Sequence, residues 1–200
     1  IPALLVLLFV TLGARAADKP TVLVLGDSLV AGYNLAPEMG FPEQLARRLE
    51  SQGTPVTMIN AGVSGDTTAG GLARLGWVLT DQIDLMIITL GGNDALRGLP
   101  PKAAKANLAR IIEAAQDKGA RVLLTGMLAP RNLGDDYAES FDAIFPALAE
   151  TYETFFYPFF LDGVAANPTL NQSDGIHPTQ EGITLIVDKI TPTVLKALAE

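Results

Sequence analysis

The residues of this chain that could perform chemistry begin with Ser28, a small nucleophile placed directly after an apolar run. Residues 23–25 are hydrophobic and are followed by a Gly-Asp pair, a pattern typical of a buried strand that delivers a side chain to the end of a sheet. A serine hydroxyl needs a base to act as a nucleophile. The chain has one histidine, His177, and Asp174 stands three residues before it. The pattern indicates a serine hydrolase whose catalytic groups come from the two ends of the chain.

Each motif taken alone also has a structural explanation. Gly-Asp-Ser occurs as a turn at the end of a strand, and a lone histidine is more often structural than catalytic. Residues 62–68 and 91–94 are rich in glycine and other small residues. They are compatible with simple turns or a helix cap, because glycine and asparagine accept positive φ. These alternatives stay open when the motifs are considered separately.

The elements that must position these residues alternate between strands and helices. Apolar runs predict strands at residues 21–25, 56–59, 83–90, 121–127 and 155–161. Helical spacing is predicted for residues 40–52, 68–79, 101–118, 137–153 and 179–199, with a kink at Pro146. This alternation favours a three-layer α/β/α sandwich on a five-stranded parallel sheet. Sites in such sheets lie beyond the carboxyl ends of the strands, so the motifs are expected at one edge.

Composition excludes several classes of function. The 200 residues are 48% hydrophobic and 18% charged, which is typical of one folded domain. A net charge of -8 argues against a nucleic-acid partner, since such partners need basic patches. The chain has no cysteine and one histidine, which excludes thiolate chemistry and a histidine-rich metal site. We expect no metal and no cofactor. The sequence around Ser28 is not the Gly-x-Ser-x-Gly elbow, which disfavours the α/β-hydrolase superfamily.

The first 16 residues are predicted to belong to a signal peptide. Residues 1–10 are apolar but too few to span a bilayer, and residues 14–16 form an Ala-x-Ala cleavage site ending at Ala16. We expect one domain over residues 17–200 and a periplasmic or secreted protein without stable membrane insertion. The alternative is that the segment is retained as an N-terminal anchor.

Four stretches, taken together and in this order, resemble the sequence blocks of the SGNH hydrolase superfamily, also called the GDSL family. They are Gly-Asp-Ser-Leu at 26–29, Ser-Gly-Asp-Thr at 64–67, Gly-Gly-Asn-Asp at 91–94 and Asp-Gly-Ile-His-Pro at 174–178. The resemblance covers nearly the whole chain after residue 16. Within the superfamily it is greatest to the bacterial periplasmic multifunctional esterases, of the thioesterase I/protease I/lysophospholipase L1 type, and to related arylesterases. It implies the flavodoxin-like fold of these hydrolases.

The resemblance also implies a role for five residues. Ser28 is expected to attack an acyl carbonyl, His177 to transfer the proton, and Asp174 to orient the imidazole. The backbone N–H groups of Ser28 and Gly65 and the side-chain amide of Asn93 are expected to form an oxyanion hole. The aspartates beside these blocks are expected to fix loops through backbone hydrogen bonds; they are Asp27, Asp66 and Asp94.

The substrate pocket is predicted from loop positions at the strand ends. The candidate lining residues are Leu29, Leu96, Arg97, Leu128, Ala129, Pro130 and Ile176. They are mostly apolar, which favours acyl or aryl groups over sugars. Residues 128–134 combine a proline and an arginine in a way that departs from the subgroup, and this leaves the preferred chain length open.

These expectations converge on a serine esterase acting on carboxylic acyl or aryl esters through an acyl-enzyme on Ser28. Acyl thioesters and lysophospholipids are expected as further substrates, and the expected partner is thus a small-molecule ester. One alternative is a carbohydrate acetylesterase with the same fold. The other, from a different class, is a non-catalytic module that binds lipid or carbohydrate.

Overall fold

A computed structural model describes residues 19–80 and 82–200, so the predicted signal segment 1–16 lies outside the described residues. Five parallel strands form one sheet in the order β2-β1-β3-β4-β5. The strands are β1 (Thr21–Gly26), β2 (Thr57–Gly62), β3 (Leu85–Thr89), β4 (Arg121–Thr125) and β5 (Phe155–Tyr157). The sheet confirms the predicted parallel arrangement of five strands.

Helices cover both faces of the sheet. They are α1 (Ser28–Ala31), α2 (Phe41–Ser51), α3 (Thr68–Val78), α4 (Gly92–Leu96), α5 (Pro101–Asp117), α6 (Asp135–Asp142), α7 (Ile144–Thr151) and α8 (Gln180–Ala199). Short 3₁₀ turns occupy Pro37–Met39 and Arg131–Leu133. Helices α2 and α8 pack together on one face, and α3 and α5 pack together on the other. Among the described residues no helix has the length and apolar character needed to cross a bilayer.

The core is centred on β1, β3 and β4, which are apolar on both faces. Residues 22–25 of β1 and 85–88 of β3 are fully buried, because each face of the sheet carries a layer of helices. Leu23 of β1 pairs with Ile59 on one side and Met86 on the other, which fixes the register of the three central strands. The continuous apolar runs therefore place the ends of these strands with little freedom.

The order of the strands creates a switch point between β1 and β3. The chain leaves β1 in one direction to form β2 and then crosses back to form β3 on the other side of β1. The loops after β1 and β3 therefore diverge and open a crevice at the carboxyl edge, where ligands of such folds bind. Ser28 follows β1 and Asn93 follows β3, so both flank this crevice.

Several predicted boundaries are wrong, each for a local reason. Strand β5 ends at Tyr157 rather than at residue 161, since Pro158 has no N–H to extend the ladder. The predicted helix 137–153 is two helices, and it begins earlier, at Asp135. The break falls at Ala143 because Pro146 cannot donate to the carbonyl four residues before it. Residues 28–31 and 92–96, for which the sequence patterns predict no helix, form short helices.

Candidate active site

Ser28 is held by a tight turn between β1 and α1. The turn brings the chain close to its neighbours at Gly26, where a Cβ would lie 2.2 Å from Val30 Cγ2 and 2.8 Å from the Thr89 carbonyl oxygen. Asp27 caps α1, since its Oδ1 accepts the Leu29 N–H at 3.0 Å. Ser28 is therefore the first residue of α1, a position whose N–H has no acceptor within the helix.

His177 is oriented by an Asx-type turn built on Asp174. One carboxylate oxygen of Asp174 accepts the N–H groups of Ile176 at 2.9 Å and His177 at 3.0 Å. The other oxygen lies 2.7 Å from His177 Nδ1. The backbone N–H of His177, then that of Ile176, then the imidazole lower the pKa of Asp174 to about 2. A charged carboxylate at this position assigns the imidazole proton to Nδ1 and leaves Nε2 free to accept.

The two ends of the chain meet where His177 Nε2 lies 2.9 Å from Ser28 Oγ. The imidazole is largely covered, with 17% of its side chain exposed. Ser28, His177 and Asp174 thus form a continuous chain of hydrogen bonds. Such an arrangement can move the serine proton to a histidine whose charged form is stabilised by a carboxylate.

Asn93 and Asp27 form a second polar pair beside Ser28. Asn93 lies in the first turn of α4, and its Nδ2 donates to Asp27 Oδ2 at 3.1 Å. This contact uses one of the two amide hydrogens and leaves the other available to a bound oxygen. Burial raises the pKa of Asp27 to about 6, against the lowering effects of the Leu29 N–H and the Asn93 amide. Both Asp27 oxygens are thus committed to holding neighbouring groups.

Gly65 lies in the turn after β2 and has φ +85°, a left-handed conformation that favours glycine. A Cβ there would meet only Arg97 Nη2, at 3.7 Å, so the backbone conformation rather than lack of space accounts for the residue. Its carbonyl accepts a hydrogen bond from Arg97 Nη2 at 2.8 Å. Arg97 therefore stabilises this turn through a hydrogen bond to its backbone.

Asp94 and Asp66, the other two aspartates that flank the sequence motifs, stabilise the segments around the crevice. Asp94 accepts the N–H of Thr68 at 2.8 Å and its hydroxyl at 2.6 Å, which ties α4 to the start of α3. Asp66 instead pairs with the Arg74 side chain at 2.6 Å, not with a backbone group as expected. Sequence reasoning also missed Arg74, whose Nη2 donates to the carbonyls of Gly26 and Ala61 at the ends of β1 and β2.

A cleft of about 650 Å³ opens beside Ser28 and His177. Its wall includes the predicted residues Leu29, Leu96, Leu128, Ala129, Pro130 and Ile176. It also includes residues that sequence patterns did not single out, among them Met127, Phe159, Leu161, Ala165 and Asn171. Arg97 does not lie on this wall, so its prediction as a pocket residue is corrected by its contact with Gly65. Apart from the catalytic candidates and a few other polar residues, the residues that line the cleft are mostly apolar.

A second groove of about 680 Å³ lies between β5 and the end of α8. Its wall includes Glu153, Thr154, Lys196 and Glu200, and no hydrogen-bonded pair of nucleophile and base lies among its lining residues. Within residues 19–80 and 82–200, no three histidine or acidic side chains are grouped closely enough to hold a metal ion. The crevice at Ser28 is therefore the candidate site.

Comparison with known proteins gives consistent matches over most of the chain. The model of the GDSL-like Lipase/Acylhydrolase family matches residues 24–185. An arylesterase from Vibrio mimicus is 41% identical over 192 residues, covering 96% of this chain and 96% of the relative. The thioesterase 1/protease 1/lysophospholipase L1 of Escherichia coli (strain K12) is 38% identical over 183 residues, covering 91% and 86%. The crystal structure of TesA superimposes with a TM-score of 0.85 at 40% identity, covering 89% of this chain and 99% of that one.

Proposed function

Because the chain belongs to the GDSL-like lipase/acylhydrolase family and is a serine esterase acting on carboxylic esters, we propose that Ser28, His177 and Asp174 are its catalytic triad. The single observation that carries the proposal is the contact of 2.9 Å between Ser28 Oγ and His177 Nε2. It is supported by the contact of 2.7 Å between His177 Nδ1 and Asp174.

The reaction proceeds in two halves with one proton shuttled by His177. Ser28 Oγ attacks the acyl carbon while its proton passes to Nε2, and Asp174 stabilises the resulting imidazolium. The tetrahedral intermediate collapses, Nε2 gives its proton to the leaving oxygen or sulfur, and an acyl ester remains on Oγ. Water then attacks this ester with the same proton transfers in sequence and regenerates the Ser28 hydroxyl.

The negative oxygen of each tetrahedral intermediate needs donors fixed beforehand. We assign this role to the backbone N–H groups of Ser28 and Gly65 and to the free amide hydrogen of Asn93. The position of Ser28 at the start of α1 supports its part, since that N–H has no helical acceptor. The bond from Asn93 to Asp27 supports the part of Asn93, because it fixes which way the amide faces.

The substrates we propose are esters with apolar acyl or aryl groups, and acyl thioesters and lysophospholipids as further candidates. The apolar wall of the cleft supports this choice, since it offers area to a hydrocarbon chain. One relative is named an arylesterase and another a thioesterase and lysophospholipase. These names favour neither the carbohydrate acetylesterase nor the non-catalytic binding module.

A substrate panel tests this proposal. Purified protein is assayed on p-nitrophenyl esters of increasing chain length and, separately, on acetylated xylan, with Ser28→Ala as the matched inactive variant. We expect turnover of the p-nitrophenyl esters that depends on Ser28 and rises with chain length. Faster release of acetate from xylan than from p-nitrophenyl acetate would instead identify a carbohydrate acetylesterase.

We also propose that the protein is exported and cleaved after Ala16, which leaves a single domain over residues 17–200 in the periplasm or outside the cell. The apolar run at residues 1–10 and the Ala-x-Ala site at 14–16 support this. Mass spectrometry of the protein isolated from its source is the test. A mature chain beginning at residue 17 is expected, and a chain that keeps residues 1–16 would mean an anchored protein.

A further inference from the structure

The phenol ring of Tyr33 covers one face of the His177 imidazole. The two ring centroids are 4.3 Å apart and the ring planes differ by 32°. About half of the Tyr33 side chain remains exposed. Asp174 contacts the imidazole edge at Nδ1 and Ser28 contacts it at Nε2, so Tyr33 is the aromatic residue that meets its face.

The backbone of Tyr33 is tied to both halves of the catalytic site. Its N–H donates to the Ser28 carbonyl at 3.1 Å. Its own carbonyl accepts Gln172 Nε2 at 2.9 Å, and the same nitrogen donates to the Pro178 carbonyl at 3.0 Å. The Gln172 N–H in turn donates to the His177 carbonyl at 2.7 Å. One glutamine therefore holds the tyrosine and the histidine loop in a fixed relationship.

Asn34 completes this link from the other side. It has φ +58°, a left-handed conformation that asparagine tolerates, and its Nδ2 donates to Gln172 Oε1 at 3.2 Å. Both polar ends of the Gln172 side chain are thus engaged with residues 33–34. The backbone of Tyr33 is thus held beside the His177 loop, and from there its ring reaches the imidazole.

An aromatic ring in this position affects the two charge states of the imidazole differently. The face of an aromatic ring attracts a cation within about 6 Å of its centroid. As the proposed general base, His177 takes the Ser28 proton and gains a positive charge as Ser28 attacks. An interaction that strengthens as this charge develops lowers the barrier and raises kcat, while leaving substrate binding unchanged.

We propose that Tyr33 is a positioning residue of the esterase reaction, whose aromatic ring stacks on the His177 imidazole and stabilises its charged form. This inference rests on the proposed role of His177 as the general base. The phenol hydroxyl takes no part, since the attraction comes from the ring face. Tyr33→Phe therefore keeps the function, whereas Tyr33→Leu fills similar space without the π system and loses it.

Kinetics of three variants test the proposal on a p-nitrophenyl ester. Tyr33→Phe is expected to keep wild-type kcat, and Tyr33→Leu to lower kcat by about 2- to 30-fold with unchanged KM, the range that cation–π energies correspond to. Trp77→Leu is the matched control, because Trp77 is 89% exposed and lies at the far end of α3. It should leave both constants unchanged.

Proton NMR supplies a structural readout, since a chain with one histidine gives one set of imidazole signals. The Cε1–H signal should be shifted by the Tyr33 ring current in the wild type and in Tyr33→Phe, but not in Tyr33→Leu. The Nδ1–H signal, which reports the bond to Asp174, should persist in all three. Its loss in Tyr33→Leu would overturn the proposal, because the ring would then be only a spacer.

Two kinetic outcomes also overturn it, namely full kcat in Tyr33→Leu or an equal loss in Tyr33→Phe. The His177→Ala variant separates this inference from the proposed function. If His177→Ala is inactive while Tyr33→Leu keeps full kcat, only the role of Tyr33 fails. If His177→Ala keeps its activity, the triad itself fails.

Discussion

The side-chain amide of Asn93 lies 3.1 Å from a carboxylate oxygen of Asp27, and this bond joins helix α4, which follows β3, to the turn after β1. The second oxygen of Asp27 holds the N–H of Leu29 in the first turn of α1. The group that we propose as an oxyanion donor and the helix that carries Ser28 are thus fixed by one buried carboxylate. This arrangement gives Asp27 a structural role at the position directly before Ser28.

Removal of the Asn93 amide should affect the transition state more than the bound substrate. We expect Asn93→Ala to lower kcat by roughly 10²- to 10³-fold with little change in KM, the usual cost of one oxyanion donor. Steady-state kinetics on a p-nitrophenyl ester measure this, with circular dichroism to verify the fold. Wild-type kcat in Asn93→Ala would remove this residue from the oxyanion hole.

The buried charge of Asp27 predicts a pH-dependent difference in stability. Burial raises the pKa of Asp27 from 3.8 in the unfolded chain to about 6, so the folded state holds the proton more tightly between these values. The free energy of unfolding therefore falls as the pH rises from about 4 to about 6. The full effect is roughly 3 kcal/mol, since one pKa unit corresponds to about 1.4 kcal/mol.

Asp27→Asn is the matched variant for this effect, because asparagine does not titrate. Denaturant unfolding at pH 4 and pH 7 should show that the wild type loses more stability than Asp27→Asn as the pH rises. Groups shared by the two proteins cancel in the difference. Parallel pH dependence in both proteins would contradict the raised pKa.

A second glycine with a similar backbone conformation, Gly53, serves as a control for Gly65. It separates the effect of the left-handed conformation on stability from the proposed effect of Gly65 on catalysis. Gly65 has φ +85° and Gly53, which follows α2, has φ +80°; neither would suffer a close clash from a Cβ. Gly65→Ala and Gly53→Ala should each lose about 1–2 kcal/mol of stability from the strained backbone. Only Gly65→Ala should lower kcat, by tenfold or more, as its N–H shifts. Equal kcat values in the two variants would contradict the prediction that catalysis needs the glycine conformation at residue 65.

The apolar wall of the cleft predicts how rate depends on chain length. Each methylene buried is worth about 0.8 kcal/mol, or roughly fourfold in kcat/KM, until the cleft is full. Leu96→Ala and Ile176→Ala remove exposed apolar side chains from this wall and should make that dependence shallower, with little effect on acetate esters. Trp77→Ala, which removes an exposed side chain elsewhere, should keep the wild-type dependence. Unchanged slopes in the first two variants would place the acyl chain elsewhere.

The sequence predicts the family, the parallel sheet and the esterase activity, and all three are confirmed. These features could be predicted because each chemical motif is a short contiguous stretch that follows a predicted strand or lies in the last loop. The strands of such a sheet end at one edge, so contiguous runs such as residues 26–29 and 91–94 carry most of the information. The roles of individual residues remain predictions that the experiments above address.

Contacts between distant segments could not be predicted in the same way. Arg74 reaches the Gly26 carbonyl across 48 positions. Tyr33 meets His177 from a distant loop, and Gln172 hydrogen-bonds to the backbone of Tyr33. No periodicity in the sequence encodes such contacts. Arg97 illustrates the opposite error, since its loop position indicated a pocket residue while its guanidinium turns back to the Gly65 carbonyl.

The central claim is that Ser28 is the nucleophile and is activated by His177, and covalent labelling tests it most directly. The protein is treated with a fluorophosphonate probe, and the labelled peptide is identified by mass spectrometry in the wild type, Ser28→Ala and His177→Ala. We predict one label per chain on Ser28, none in Ser28→Ala, and labelling slowed by at least about 10³-fold in His177→Ala. A label on another residue, or ester turnover that persists in Ser28→Ala, would contradict the account.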